Sequence, residues 1–302
     1  MRKTLLFPLA LAVIPVGVHA QVTPSASCAA LSVESPLDDV LLCVEQGNMY
    51  AQGILGFKYS IGYGVPEDDV EAVRWFRLAA EQGNAGAQFY LGNMYGNGDG
   101  VPEDGTEAVR WFRLAAEQGN AYAQMSLGVR YGNGDGVPED DVEAARWMRL
   151  AADQEIAVAQ YFLGRMYSNG EGVPEDDTEA VRWFRLAAEQ GNAGAQYNLG
   201  FMYSRGQGVP EDDTEAVRWL RLAAEQGNAG AQSRLGAMYA LGKGVPEDDV
   251  LAYMWFNLAA AQGSEVAQES KDLIEERMTR EQIAEAQRLS REWLEAHLPG
   301  GN

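Results

Sequence analysis

The chain has 302 residues, 46% of them hydrophobic, and carries 23 basic against 44 acidic side chains for a formal net charge of −21. The apolar fraction is that of a soluble, packed protein, which excludes a wholly disordered chain. The charge repels nucleic-acid phosphates and anionic lipid surfaces, and it favours solubility and cationic partners.

Residues 1–20 read as a secretory signal peptide. Arg2 and Lys3 form a basic start, Leu5 to Val18 is a short apolar run, and Val18-His19-Ala20 places small residues for cleavage before Gln21. A membrane anchor is the alternative, but the run is short and is interrupted by Pro8 and Pro15. Lipidation at Cys28 would need the cysteine directly after the apolar run; polar residues intervene, with Ser25 where a leucine-like residue is expected. No later stretch is long and apolar enough to span a membrane. The expected location is the periplasm or the exterior.

Residues 21–46 are expected to form an N-terminal cap segment, in which Leu37 to Gln46 matches the end of a second helix and Cys43 takes the place of Ala79. Cys28 and Cys43 are the only cysteines. In an oxidising compartment one disulfide is expected, and a loop of that size contributes ~3 kcal/mol in the chain-entropy model. Two unpaired thiols are the alternative.

From residue 47 to 262 the chain repeats six times. Val-Pro-Glu-Asp starts at Val65, Val101, Val137, Val173, Val209 and Val245, always 36 residues apart. Trp75 to Trp255 and Gly56 to Gly236 keep the same interval. Such a period predicts an all-α solenoid whose units stack on their neighbours.

In the unit 83–118 a first helix is expected from Ala85 to about Tyr95, with Ala87, Leu91 and Tyr95 on one face. Gly96 to Gly100 is turn chemistry. Asp104 and Glu107 predict a capping box at the start of a second helix. Ala108, Trp111, Phe112, Ala115 and Ala116 give that helix its apolar face, Arg110 and Arg113 its polar side, and Gly119 its stop. Small residues such as Gly92 let helices approach, and the tryptophans fill the gaps between units. At the third junction Glu155-Ile156 replaces the usual Gly-Asn, which either bends the solenoid or is neutral.

Residues 263–302 are expected to be C-terminal capping helices and a tail. Thr279 with Gln282 starts a final helix, on which Ile283, Ala286, Leu289 and Trp293 form an apolar stripe. Tyr253, Met254 and Asn257 replace valine and two arginines in the sixth unit, a surface suited to receive it.

These positions closely resemble the Sel-one-like repeat, a relative of the tetratricopeptide repeat. The pattern is carried by Ala87, Leu91-Gly92, Tyr95, Gly98 to Val101, Asp104, Ala108, Trp111 and Ala115-Ala116 before Gln118-Gly119. The resemblance covers about residues 41–268. It implies a right-handed α-solenoid used as an adaptor, and exported bacterial members are similar scaffolds in envelope assembly, signalling control or host contact. It assigns no catalytic residue. Cysteine-rich relatives linked to penicillin binding and hydrolysis carry a cysteine pair in each repeat, which is missing here, so a β-lactam-directed activity is disfavoured.

Little in the sequence supports catalysis. Past residue 20 the only histidine is His297, too little for a Ser-His-Asp or Cys-His arrangement. Glu103-Asp104 and its copies are better explained as helix starts than as acid/base pairs. Asn97 and Asp99 lack the oxygen spacing of a calcium loop. No cofactor and no metal site is expected.

A partner face is expected instead. Turn, cap and core positions hardly vary, whereas the first helices vary four, seven and eleven residues into each unit, on one face. The candidates there are Tyr50, Phe57, Phe89, Tyr122, Met125, Tyr161, Arg165, Tyr197 and Phe201. In related solenoids the first helices line the concave surface, where an aromatic strip suits a protein or peptide segment. The alternatives are that these side chains only fill the space between first helices, or that the chain is a structural spacer. No nucleic acid and no stable membrane insertion are expected, and a monomer is.

Overall fold

Two caps and two stops define each unit of this chain, save the fourth, whose first helix lacks a side-chain cap. The computed structural model describes residues 28–297; the expected signal peptide, the first part of the cap segment and the last residues of the tail lie outside the described residues. A 3-10 turn (Cys28–Ala30) leads into α1 (Leu37–Glu45). The first helices of the six units are α2 (Met49–Ile61), α4 (Ala85–Asn97), α6 (Ala121–Asn133), α8 (Ala157–Asn169), α10 (Ala193–Arg205) and α12 (Ala229–Leu241). The second helices are α3 (Asp69–Glu81), α5 (Gly105–Glu117), α7 (Asp141–Ala152), α9 (Asp177–Glu189), α11 (Asp213–Glu225) and α13 (Asp249–Ala261). Two further helices, α14 (Glu265–Glu275) and α15 (Arg280–His297), follow, and no strand occurs among the described residues. From α1 to α14 each helix packs on the next, and α15 packs back on α13, which makes the chain an α-solenoid.

The first helix starts on an asparagine. Asn84 Oδ1 accepts from Ala87 N at 2.8 Å, a cap worth ~1 kcal/mol. The helix runs two residues beyond the expected end at Tyr95, because the stop is Gly98 in the left-handed region (φ 80°), whose N–H donates to the Met94 carbonyl.

At the second helix the expected capping box is only half formed. Asp104 Oδ1 accepts from Thr106 N and Glu107 N, both at 3.0 Å. The return bond from Glu107 is missing because Asp104 N already donates to the Tyr95 carbonyl at 2.8 Å. Glu107 is thereby left to pair with Arg110. In the last unit Asp248 still accepts from Leu251 N at 3.0 Å without a glutamate. A reciprocal box does form before α15, where Thr279 N donates to Gln282 Oε1 at 2.8 Å and Gln282 N to Thr279 Oγ1 at 3.3 Å.

Two residues close one unit and open the next. Gly119 N donates to the Ala116 carbonyl at 3.0 Å and Asn120 N to the Ala115 carbonyl at 3.1 Å, a Schellman stop, after which Asn120 caps α6. At the third junction the same bonds persist. Glu155 takes the glycine's conformation at φ 64°, Glu155 N reaches Ala152 at 3.0 Å, and Ile156 N reaches Ala151 at 3.4 Å. Helix α7 is one residue shorter than the other second helices, and Ile156 supplies no side-chain cap.

The core lies between units. Trp111 of the second unit packs with Val73, Phe76 and Leu91. A Cβ on Gly92 would stand 2.7 Å from the Phe112 ring, so this glycine admits the ring at the centre of the layer. Arg113 is not simply a solvated side chain: its Nη2 donates to the Tyr131 hydroxyl of the next unit at 2.6 Å, and Arg77, Arg149, Arg185 and Arg221 make the same bridge.

Both ends are covered. Cys28 and Cys43 form a disulfide that ties the leading segment to α1. Lys58, buried where most units have methionine, donates to the Val33 carbonyl at 2.6 Å and pins the same segment to α2. At the other end Ala286 is buried in the last core, Trp293 of α15 meets Trp255 of α13 edge-on at 6.3 Å, and Arg277 pairs with Glu247 and Asp249.

Candidate partner-binding face

The first helices hold their core side with alanine, leucine and a buried glutamine, and this orients the opposite columns outward. Gln88 is 4% exposed. Its neighbours Ala87 and Leu91 are buried, while position seven of the unit, Phe89, is half-buried.

None of the nine candidate residues is fully buried. Tyr50 (58% exposed) and Tyr122 (55%) stand outward at the helix starts. Phe57 meets Tyr90 at a ring distance of 5.3 Å, and Phe89 lies 5.4 Å from Tyr90 and 6.0 Å from Tyr122. These rings form one aromatic run over the first three units. A cavity of about 340 Å³ opens beside it, lined by Tyr50, Phe57, Tyr90 and by Leu31 and Val33 of the leading segment.

The later candidates sit differently. Tyr161 lies over Gly194 of the next first helix, where a Cβ would be 3.0 Å from the ring, and Tyr197 lies over Gly230 in the same way at 3.1 Å. The Tyr197 hydroxyl accepts from Arg234 Nε at 3.3 Å. Phe201 carries the Arg234 guanidinium 4.2 Å above its ring. Met125 packs half-buried against the core of the third and fourth units. Arg165 is exposed and lines a cavity of about 310 Å³ with Phe162 and Met166. The structure therefore gathers Phe57, Phe89 and Tyr122 at one end and Tyr197 and Phe201 at the other, with Tyr161, Met125 and Arg165 between them.

One column was missed by the sequence reading. Eight residues into the unit the chain places Ile54, Tyr90, Ser126, Phe162, Asn198 and Arg234. These vary as much as the chosen columns, and Tyr90 and Arg234 are central to the two clusters. The variation was visible; a strict four-seven-eleven selection passed it by.

Among the described residues no group of three or more His, Cys, Asp or Glu side chains converges as metal ligands do. Asn97 Nδ2 donates to Asp99 Oδ2 at 3.1 Å within the turn. His297 stacks on Trp293 at 4.1 Å. No helix among the described residues is long and apolar enough to cross a membrane.

The Sel1 repeat pattern matches residues 50–84, 85–120, 121–155, 157–192, 193–228 and 229–264. Among solved structures, a Sel1 repeat protein from Oxalobacter formigenes is 35% identical, with 74% of this chain and 87% of that one covered and a TM-score of 0.63. A protective antigen of uropathogenic Escherichia coli with an SLR fold is 28% identical, covering 87% and 80% at a TM-score of 0.45. No curated protein matches the chain. Six consecutive matches, on units whose caps, stops and interlocking rings are those described above, place this chain in the Sel1 repeat family, whose members are generally protein-interaction scaffolds.

Proposed function

We propose that the protein is an exported, non-catalytic monomeric scaffold whose first-helix face captures a protein or peptide segment, as an adaptor in envelope assembly or signalling. The observation that carries this reading is where the near-identical units differ. Their variation is concentrated on the outward columns of the first helices, and these include the exposed or half-exposed aromatics Tyr50, Phe57, Phe89, Tyr122, Tyr161, Tyr197 and Phe201, the type that dominates binding energy. Export rests on the signal-like start, with its basic residues and apolar run, and on the Cys28–Cys43 disulfide, a bond that persists in oxidising compartments.

The test is capture from a periplasmic extract by the protein and by a Tyr161→Ala/Tyr197→Ala variant. Loss of an enriched partner with folding retained supports the reading. A fall in stability with capture unchanged shows that the rings only pack. Failure to enrich any partner favours a spacer.

A further inference from the structure

The sign of the charge changes between the two helices of each unit. The six first helices, thirteen residues each, contain no aspartate or glutamate and carry Lys58, Arg130, Arg165, Arg205 and Arg234. The second helices begin on acids, such as Asp69 and Glu71 or Asp213 and Glu215. In a chain of net charge −21 the first helices are thus neutral, as α4 is, or positive, and the cations of α6, α8, α10 and α12 are not buried.

The cations of the two helix sets are also used differently. On the second helices Arg74, Arg110, Arg146, Arg182 and Arg218 each pair with the glutamate three residues earlier. On the fifth and sixth units Arg205, Arg234 and Lys243 line one groove of about 300 Å³ together with Ala237 and Leu241, and Asp213 is the single carboxylate on its wall. None of these three cations forms an ion pair among the described residues. Arg205 and Lys243 are exposed. Arg234 is held over Phe201 and bonded to Tyr197 through Nε alone.

An arginine fixed by stacking has less freedom to lose when a carboxylate arrives, and the two terminal nitrogens of its fork suit bidentate recognition. Gathering three unpaired cations is unfavourable until an anion enters. The strongly negative remainder of the molecule opposes an extended polyanion, which favours a short acidic segment over nucleic acid.

We propose that this groove docks an acidic peptide segment, with carboxylates on Arg205, Arg234 and Lys243 and an apolar side chain against Ala237 and Leu241. The proposal rests on the reading of the first-helix face as the capture surface, and it reverses locally the preference for cationic partners that the whole-chain charge implies.

The experiment is fluorescence anisotropy with the full chain and a labelled decapeptide alternating Glu with Leu and Tyr. Its Gln-for-Glu counterpart and a single-stranded oligonucleotide of equal charge are the comparison probes. The Glu peptide is expected to bind, to weaken as salt rises, and to lose about tenfold in affinity with Arg205→Gln/Lys243→Gln. Both positions are exposed, so the thermal midpoint should hold, and Arg205→Glu/Lys243→Glu should deepen the loss. Equal binding of the Gln peptide, or no effect of either variant, overturns the acidic preference while leaving peptide capture intact. Absence of binding by the Glu peptide also overturns it, and the Tyr161/Tyr197 capture experiment then judges the wider reading separately. Equal binding of the oligonucleotide makes the groove a general anion site. Self-association of the free protein that these variants abolish assigns the groove to the acidic helices of a second copy.

Discussion

Gln118 Nε2 donates to Gln88 Oε1 at 2.7 Å, and Gln88 Nε2 passes the connection to the Ala80 carbonyl of the preceding unit at 3.1 Å. The same relay recurs at Gln154–Gln124, Gln190–Gln160, Gln226–Gln196 and Gln262–Gln232. It crosses each layer at a buried point, where an unmet amide is costly. Gln88→Leu should therefore destabilise by about 1–3 kcal/mol, read from urea unfolding, although leucine is the more apolar side chain. Because the two residues share one bond, Gln118→Leu added to Gln88→Leu should cost less than the sum of the separate changes. A neutral Gln88→Leu would show that the relay contributes nothing.

Gly92 makes room for an aromatic ring. With Phe112 2.7 Å from the position of an added Cβ, Gly92→Ala overpacks a layer that is already closed. A loss of about 1–3 kcal/mol is expected by thermal unfolding. The same change at Gly119, where nothing lies within 4 Å, acts through its positive φ alone. The two variants therefore differ: extra strain at Phe112 should be relieved by Phe112→Ala only in the Gly92 variant, whereas leucine would not suffice, since Leu220 lies 2.8 Å from a Cβ added at the matching Gly200.

Glu155 occupies a conformation suited to glycine. Glu155→Gly removes a left-handed penalty of about 1–2 kcal/mol against a glycine entropy cost of about 0.4–1 kcal/mol, so a small net stabilisation is expected in urea unfolding. Gly191→Glu, at the matching stop with φ 88°, should destabilise. Destabilisation by Glu155→Gly would mean that the glutamate side chain holds the junction.

The final helix has its own acid signature. Glu281 is held below the ordinary glutamate range by its own backbone N–H and then by Thr279, and Glu285 is lowered chiefly by its hydrogen bond from Arg288. The guanidinium of Arg288 is correspondingly raised by Glu285 and Glu292. Carboxylates with depressed folded values stabilise above the unfolded range near 4.3, and that contribution is lost as pH falls through the folded values. Carbon-detected NMR should show both groups titrating low, and Arg288→Gln should return Glu285, but not Glu281, toward the ordinary range.

The period alone made the fold legible, because Asn, Asp and Gly recur at almost every helix start and stop of the six units, Glu155-Ile156 being the exception. Asp104 caps the second helix and Glu107 pairs with Arg110, both as their spacing predicts, but the return bond of the capping box does not form. The Tyr95 carbonyl that occupies the Asp104 N–H is nine residues away in sequence and adjacent only once the helices pack. Arg113 and Gln88 escaped for the same reason: their acceptors, Tyr131 and Ala80, belong to neighbouring units. On the candidate face, Tyr90 and Arg234 became apparent when the rings they touch were in place. The charge contrast between first and second helices was readable throughout, but the sum over the whole chain concealed it.

Side-chain footprinting of the captured complex tests the account most directly. Tyr122, Tyr161 and Tyr197 should lose reactivity on binding, while the exposed second-helix residues Leu114, Leu150 and Leu186 keep theirs. Protection of those leucines with the three tyrosines unchanged would contradict the assignment of the partner to the first-helix face.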